Sequence, residues 1–298
     1  MNLVMISAMY ENGGNVLQRH LDGHPELFVY PFESQLGTRY VNDELSSMFP
    51  YKYRWTEFTY STNDIEEFYN LIYDEELKTR VRRPDGSKFK NADLQLKEKD
   101  RITYFKESMV DKQATINNII TSFFYSTFSA WKNYKYSGRE KYYVGYSPII
   151  AVDAEKMISD FPDIKILHMV RNPESCYAET TKRPFPMSLE NYIWAWCTVQ
   201  HRAVVYAEKY PNNIKIIKYN DLLCDKEFTM IQICKFLNIE FDKILLETSW
   251  NANILDNIYP WGTINNFSVE EDEERKNSLT TKQKNTIESM TKFIKNVL

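Results

Sequence analysis

The residues best placed to do chemistry begin with two adjacent glycines. The chain has 298 residues and only eight glycines, yet Gly13 and Gly14 stand side by side. They fall between an apolar run and a helical pattern, where backbone N–H groups converge at the positive end of a helix dipole. Such a turn, here Glu11, Asn12, Gly13, Gly14 and Asn15, can hold a phosphate or sulfate. The same glycines also suit a tight turn with geometry as its only purpose. No GK[ST] follows them, so the Walker A pattern is not met. Arg171 directly follows the apolar run KILHMV, at the carboxyl end of a strand, where open α/β sheets place ligands. Its guanidinium can hold a phosphate through two parallel bonds, or pair with Glu174 or Asp163.

These groups need elements to position them. Residues 3–9 read as a strand buried on both faces. NVLQRHLDGHPE then carries Val16, Leu17 and Leu21 at helical spacing, stopping at Gly23 and Pro25. Further strands are expected at 27–30, 142–146, 165–170 and up to Tyr219. Helices are expected around 152–161, 174–181 and 189–209, and from Phe228. This alternation predicts an α/β three-layer architecture with a central, mostly parallel sheet in a single domain. Residues 45–140 interrupt it with an aromatic, slightly basic segment, expected to be an inserted helical cap on the substrate side. SVEEDEERK, from Ser268, reads as a solvated loop.

Composition removes several classes. A net charge of -4 argues against a nucleic-acid coat protein, so any anion site must be local. Four cysteines and four histidines show no CxxC, HxH or HExxH spacing, which predicts neither a metal site nor a disulfide framework. With no apolar run of about 18 residues, no transmembrane segment is expected. The apolar amino terminus has no basic region before it, so a cytoplasmic protein is expected.

Five segments together resemble sulfotransferases that use 3′-phosphoadenosine 5′-phosphosulfate (PAPS). ISAMYENGGNVLQRHLDGHPELFVYPFES is similar to the family's GxPRSGTTLLxRxLDxHP stretch with its following strand and acidic residue. YSPIIAVDAEKMISDFPDIKILHMVRNP and IIKYNDLLCDKEFTMIQICKFLNIEF resemble two later family segments. Tyr192 to Trp196 lie in an aromatic helix of similar placement, and YPWGTINNF resembles a PWGGNSSF-type loop. The resemblance implies a P-loop nucleoside-kinase-like fold and metal-free sulfuryl transfer from PAPS to a hydroxyl acceptor, a carbohydrate or other small molecule. The loop would cradle the phosphosulfate and Arg171 the 3′-phosphate. Glu33, after the second strand, would be the general base that a hydroxyl nucleophile needs. A structural carboxylate bonded to its loop or to Arg39 is the other reading of Glu33, and His20 and His24 are alternative bases.

The sequence departs from that pattern in two places. Glu11 replaces a basic residue, and a carboxylate there repels a phosphosulfate. Lys182 and Arg183 are the first candidates for the missing cation, with Arg19 and Arg39 behind them. Glu179 stands where the family places a 3′-phosphate serine, so Ser175 or Thr180 is expected to supply the hydroxyl. In the insert, RVRRPDGSKFKN reads as a basic hairpin around a DG turn, either a solvated loop or a receiver of an anionic or sugar acceptor. Tyr192, Trp194 and Trp196 read as helix core. A P-loop-type kinase and a non-catalytic nucleotide- or glycan-binding descendant remain rival readings.

Overall fold

The apolar residues at the amino terminus form β1 (Asn2–Ser7), the central strand of a five-stranded parallel sheet. The computed structural model describes residues 1–59, 64–255, 268–295 and 297. The expected YPWGTINNF loop, 259–267, lies outside them. The other strands are β2 (Leu27–Val29), β3 (Tyr142–Ser147), β4 (Lys165–Val170) and β5 (Ile214–Lys218), in the order β2-β3-β1-β4-β5. Ser7 pairs with Ser147 on one side and His168 on the other, so the strand ends that carry the following loops are level with one another.

Two short strands, β6 (Ser249–Trp250) and β7 (Asn253–Ile254), form a separate hairpin. The helices are α1 (Gly14–Leu21), α2 (Ile65–Leu71), α3 (Glu75–Arg82), α4 (Glu98–Met109), α5 (Ile116–Ala130) and α6 (Ala154–Asp160). After them come α7 (Pro173–Thr180), α8 (Leu189–Lys209), α9 (Tyr219–Cys224), α10 (Lys226–Leu237), α11 (Val269–Asn277) and α12 (Thr281–Lys295). No helix among the described residues is long and apolar enough to cross a membrane.

Alternate side chains of β1 enter different cores, as a strand covered on both faces requires. Leu3 and Met5 join one cluster with Phe123, Phe124 and Phe128 of α5. Val4 and Ile6 join another with Leu17 of α1 and Met230 and Ile233 of α10. The helices between β2 and β3 therefore share the sheet's own core. A third cluster joins α7, α8 and α12 beyond the strand ends, around Cys176, Tyr192, Trp196 and Ile287.

Three expectations are corrected. SVEEDEERK is not a loop: Ser268 accepts a bond from the Glu271 backbone N–H at 3.1 Å and caps α11. RVRRPDGSKFKN is not a hairpin, because α3 runs through Arg80 and Arg82 and leaves no strand to pair; Pro84–Gly86 is a short 3-10 turn. Arg80 there donates to the Phe89 and Ala92 carbonyls, and Arg82 pairs with Glu98. Finally, Tyr192 and Trp196 are core residues but Trp194 is 60% exposed.

Candidate active site

The loop between β1 and α1 turns back on itself through two left-handed residues, Glu11 (φ 65°) and Gly13 (φ 90°). Asn12 N–H donates to the Met9 carbonyl at 2.8 Å and closes the turn. Gly13 precedes α1 without a capping side chain, so the N–H groups of the first helical turn receive no bond from it. Space fixes the glycines as well: a Cβ at Gly13 would fall 2.5 Å from the Tyr219 ring, and one at Gly14 would fall 2.4 Å from the Tyr146 ring.

Asn12 points inward. Its Oδ1 accepts from the Arg171 backbone N–H at 3.1 Å and from Trp196 Nε1 at 3.3 Å, and its Nδ2 donates to the Tyr10 carbonyl at 3.1 Å. The side chain therefore ties the loop to the end of β4 and to α8. Tyr192 adds a bond from its hydroxyl to the same Tyr10 carbonyl at 2.6 Å.

Arg171 crosses behind this loop. Its Nη1 donates to the Glu11 carbonyl at 2.8 Å and its guanidinium carbon lies 4.6 Å from the Tyr219 ring centre. The ion pair that holds it was not among those expected from the sequence. Instead Nε and Nη2 meet Asp272 Oδ1 of α11 at 2.6 and 2.5 Å. Ser175 Oγ donates to the same carboxylate through Oδ2 at 3.0 Å. Beside Arg171 a cleft of about 390 Å³ opens at the carboxyl ends of β4 and β5, lined also by Asn172, Trp196, Lys218, Tyr219 and Asn220.

The candidate cations separate. Arg183 donates through Nε to Glu11 Oε1 at 2.8 Å and lies 5.7 Å from the Tyr10 ring centre. Burial pulls its pKa down, but the Glu11 carboxylate outweighs that and holds it above the ordinary arginine value. Lys182 is exposed and pairs with Glu179 at 3.1 Å. Glu179 also pairs with Arg275 at 2.6 Å, and Thr180 bonds to the Tyr177 carbonyl of its own helix. Arg19 donates to the Tyr30 carbonyl and Arg39 to the Tyr40 hydroxyl. Of the proposed replacements, Arg183 is the one bonded to Glu11.

Glu33 faces the other side of the loop helix. Gln18 of α1 donates to the Tyr30 and Phe32 carbonyls at 2.7 and 2.8 Å, fixing the segment that carries it. Behind that segment, buried Arg101 binds both Asp74 and the Tyr30 hydroxyl. Glu33 and Asn15 line one small cavity of about 40 Å³ together with Gln18, Phe32, Glu76 and Lys88. The Glu33 backbone N–H donates to Glu76 Oε2 at 3.0 Å, and Gln35 Nε2 donates to Glu33 Oε2 at 3.2 Å. Burial, reinforced by the nearby Glu76 charge, pushes the Glu33 carboxyl up to about 7. Arg39 plays no part in these bonds. Lys88 pairs with Glu76 at 2.5 Å.

The two histidine alternatives are held in structural bonds. His20 Nδ1 meets the Leu245 carbonyl at 3.0 Å, and burial pushes its pKa down to about 4. His24 Nδ1 accepts from the Glu26 N–H at 3.1 Å while Nε2 lies 2.8 Å from the Glu240 carbonyl. Sequence reasoning missed Glu76 and Asp272, while Lys88 lies in the basic RVRRPDGSKFKN stretch expected at the acceptor. Nothing in the sequence singles out Glu76, whereas the Ser268-x-x-Glu271 pattern is a helix-start signal that would have placed Asp272 on a helix.

A profile described as the sulfotransferase family matches residues 13–243. No curated protein matches the sequence. Among solved structures, the chain is similar to the sulfotransferase domain from the curacin biosynthetic pathway, at 15% identity and a TM-score of 0.55, covering 98% of this chain and 97% of that one. It is also similar to the sulfotransferase domain from the Synechococcus PCC 7002 olefin synthase, at 16% identity and a TM-score of 0.50, covering 93% and 94%. These likenesses establish the fold.

Proposed function

We propose, from the premise that this chain belongs to the sulfotransferase family, that it transfers a sulfuryl group from PAPS to a hydroxyl acceptor, a carbohydrate or other small molecule. The observation that carries the reading is the cavity shared by Asn15 and Glu33. It sets a carboxylate beside the first turn of the helix that follows the glycine loop, so a base and an anion cradle face one space. A carboxyl titrating near 7 is well matched to take a proton from a hydroxyl at neutral pH.

The residues fit such a donor. Glu11 to Asn15 would form the phosphosulfate cradle, with Gly13, Gly14 and Asn15 presenting backbone N–H groups and Arg183 offsetting the Glu11 charge. Arg171 and Ser175 already hold a carboxylate from this chain, which supports assigning an oxyanion to that pair. Glu179 and Lys182, also expected at the donor, would act at one remove, through α11 and solvent. The donor supplies the transferring SO₃ group. Its bond to the nucleotide phosphate breaks as the acceptor oxygen bonds to sulfur, and the acceptor proton passes to a Glu33 carboxylate oxygen. Preorganised cations and N–H groups would stabilise the charge left on the phosphate. The segment 45–140 supplies Glu76 and Lys88 to the Glu33 cavity, which supports its assignment to the acceptor side. A cytoplasmic setting suits a chain whose four cysteines are free thiols.

The test is transfer from labelled PAPS to a panel of hydroxyl acceptors. Transfer is expected from the native chain and not from Glu33→Gln; full turnover by Glu33→Gln would remove the base from its role. A reading in which the chain binds nucleotide without transfer predicts binding of adenosine 3′,5′-bisphosphate and no labelled product.

A further inference from the structure

Asp272 is 4% exposed and is the one buried residue of α11, a helix otherwise composed of charged and polar side chains apart from Val269. Its carboxylate accepts from Arg171 Nε on one oxygen, with Nη2 in ion-pair contact at 2.5 Å, and from the Ser175 hydroxyl on the other. Ser175 Oγ also meets the Asp272 backbone carbonyl at 3.0 Å. A second ion pair, Arg275 to Glu179 at 2.6 Å, joins α11 to α7. Hence α11 is docked on the site mainly by charge, and through the same two side chains assigned above to the donor's 3′-phosphate.

An oxyanion on guanidinium and hydroxyl is what a phosphate would present there. A carboxylate and a phosphate cannot share that position, since two anions at contact distance in a poorly solvated site repel strongly. We infer that Asp272 is a built-in competitor for the donor: a 3′-phosphate binds by taking the place of the Asp272 carboxylate on Arg171 and Ser175. This rests on the PAPS reading. Donor binding is then tied to release of α11, and nucleotides without a 3′-phosphate leave Asp272 seated. Glu179, out of place as a phosphate ligand, acts as the second clasp through Arg275.

Calorimetric titration of the full chain with adenosine 3′,5′-bisphosphate and with adenosine 5′-phosphate tests this, alongside Asp272→Asn and Glu179→Gln. Bisphosphate affinity should rise at least tenfold in Asp272→Asn and several-fold in Glu179→Gln, with the monophosphate unchanged. In the native chain, bisphosphate should speed amide exchange in α11, a readout that holds even where a variant fails to fold. If the bisphosphate outbinds the monophosphate but neither variant nor α11 exchange responds, Asp272 does not hold the phosphate position and the donor reading stands. If the bisphosphate never outbinds the monophosphate in any variant, both inferences fall together. If Asp272→Asn tightens both nucleotides equally, the carboxylate acts on charge alone and its role as a competitor for the phosphate position is overturned.

Discussion

Arg183 Nε lies 2.8 Å from Glu11 Oε1, so the carboxylate that intrudes into the glycine loop is met by a cation from the segment after α7. The loop thus carries a balanced pair where the family resemblance leads one to expect a lone positive charge. About half of the Arg183 side chain is exposed, which limits what the pair adds to folding.

Removing Arg183 should therefore separate binding from stability. Arg183→Ala is expected to change unfolding free energy by less than about 1 kcal/mol, as for other solvent-screened pairs. Binding of adenosine 3′,5′-bisphosphate should weaken about tenfold or more, because Glu11 then faces the anion unopposed. The double variant Glu11→Ala with Arg183→Ala should recover part of that loss. Calorimetry and chemical denaturation read the two quantities, and equal affinity for native and Arg183→Ala protein would sink the account.

The Glu33 carboxyl gives a pH signature. Its value of about 7 in the fold stands above the ordinary 4.5, so between those pH values the unfolded chain releases a proton that the folded chain keeps. Its contribution to stability accordingly falls as pH rises through this window, while the ionised base needed for transfer accumulates. Turnover should climb with a midpoint near pH 7. Glu76→Gln removes the neighbouring charge and should move the midpoint downward; a pH–rate profile of that variant that stays at the native midpoint would rule out Glu76 as a cause.

His20 and His168 act in the opposite direction. Burial holds both near 4 in the fold, against an ordinary 6.5. The unfolded chain therefore takes up protons that the folded chain refuses as pH drops from 6.5 to 4, and stability falls over that range. A shift of this size corresponds to about 3 kcal/mol per group. Urea midpoints measured from pH 7 to 4.5 should decline, and decline less steeply in His20→Gln if the variant keeps the bond to the Leu245 carbonyl.

Gly14→Ala tests the space behind the loop. The added methyl would fall 2.4 Å from the Tyr146 ring and 2.8 Å from the Ala8 Cβ, so the cost should be that of overpacking, about 1–3 kcal/mol. Denaturant melts check this. A variant as stable as the native chain would show that Tyr146 swings aside.

Where local pattern and tertiary demand agree, sequence reading placed elements well. Helix α8 matches its expected bounds because Ser188 caps it, accepting from the Asn191 N–H, and its apolar positions continue without interruption. Strand β4 matches for a similar reason, as its apolar run ends directly at Arg171. The site was readable only in part. Gly13, Gly14 and Arg171 advertise themselves through neighbouring strands, whereas Arg183 is assigned by contact with a residue 172 positions away. Asp272 was hidden because α11 has no apolar stripe; its burial depends on Arg171, 101 positions earlier. Trp194 was misread because its neighbours Ile193 and Trp196 face inward while it turns outward.

The strand order has a consequence for how the protein is made. β1 is synthesised well before its partners β3 and β4, and the latter ends at residue 170. Everything from β1 through β4 must be synthesised before both edges of this apolar strand are satisfied. Until then the segment that becomes the centre of the sheet is a naked template for association with other chains. A nascent chain that has emerged only as far as the stretch between Ala130 and Tyr142 should thus be at its stickiest, with α4 and α5 free to form and no sheet for them to cover.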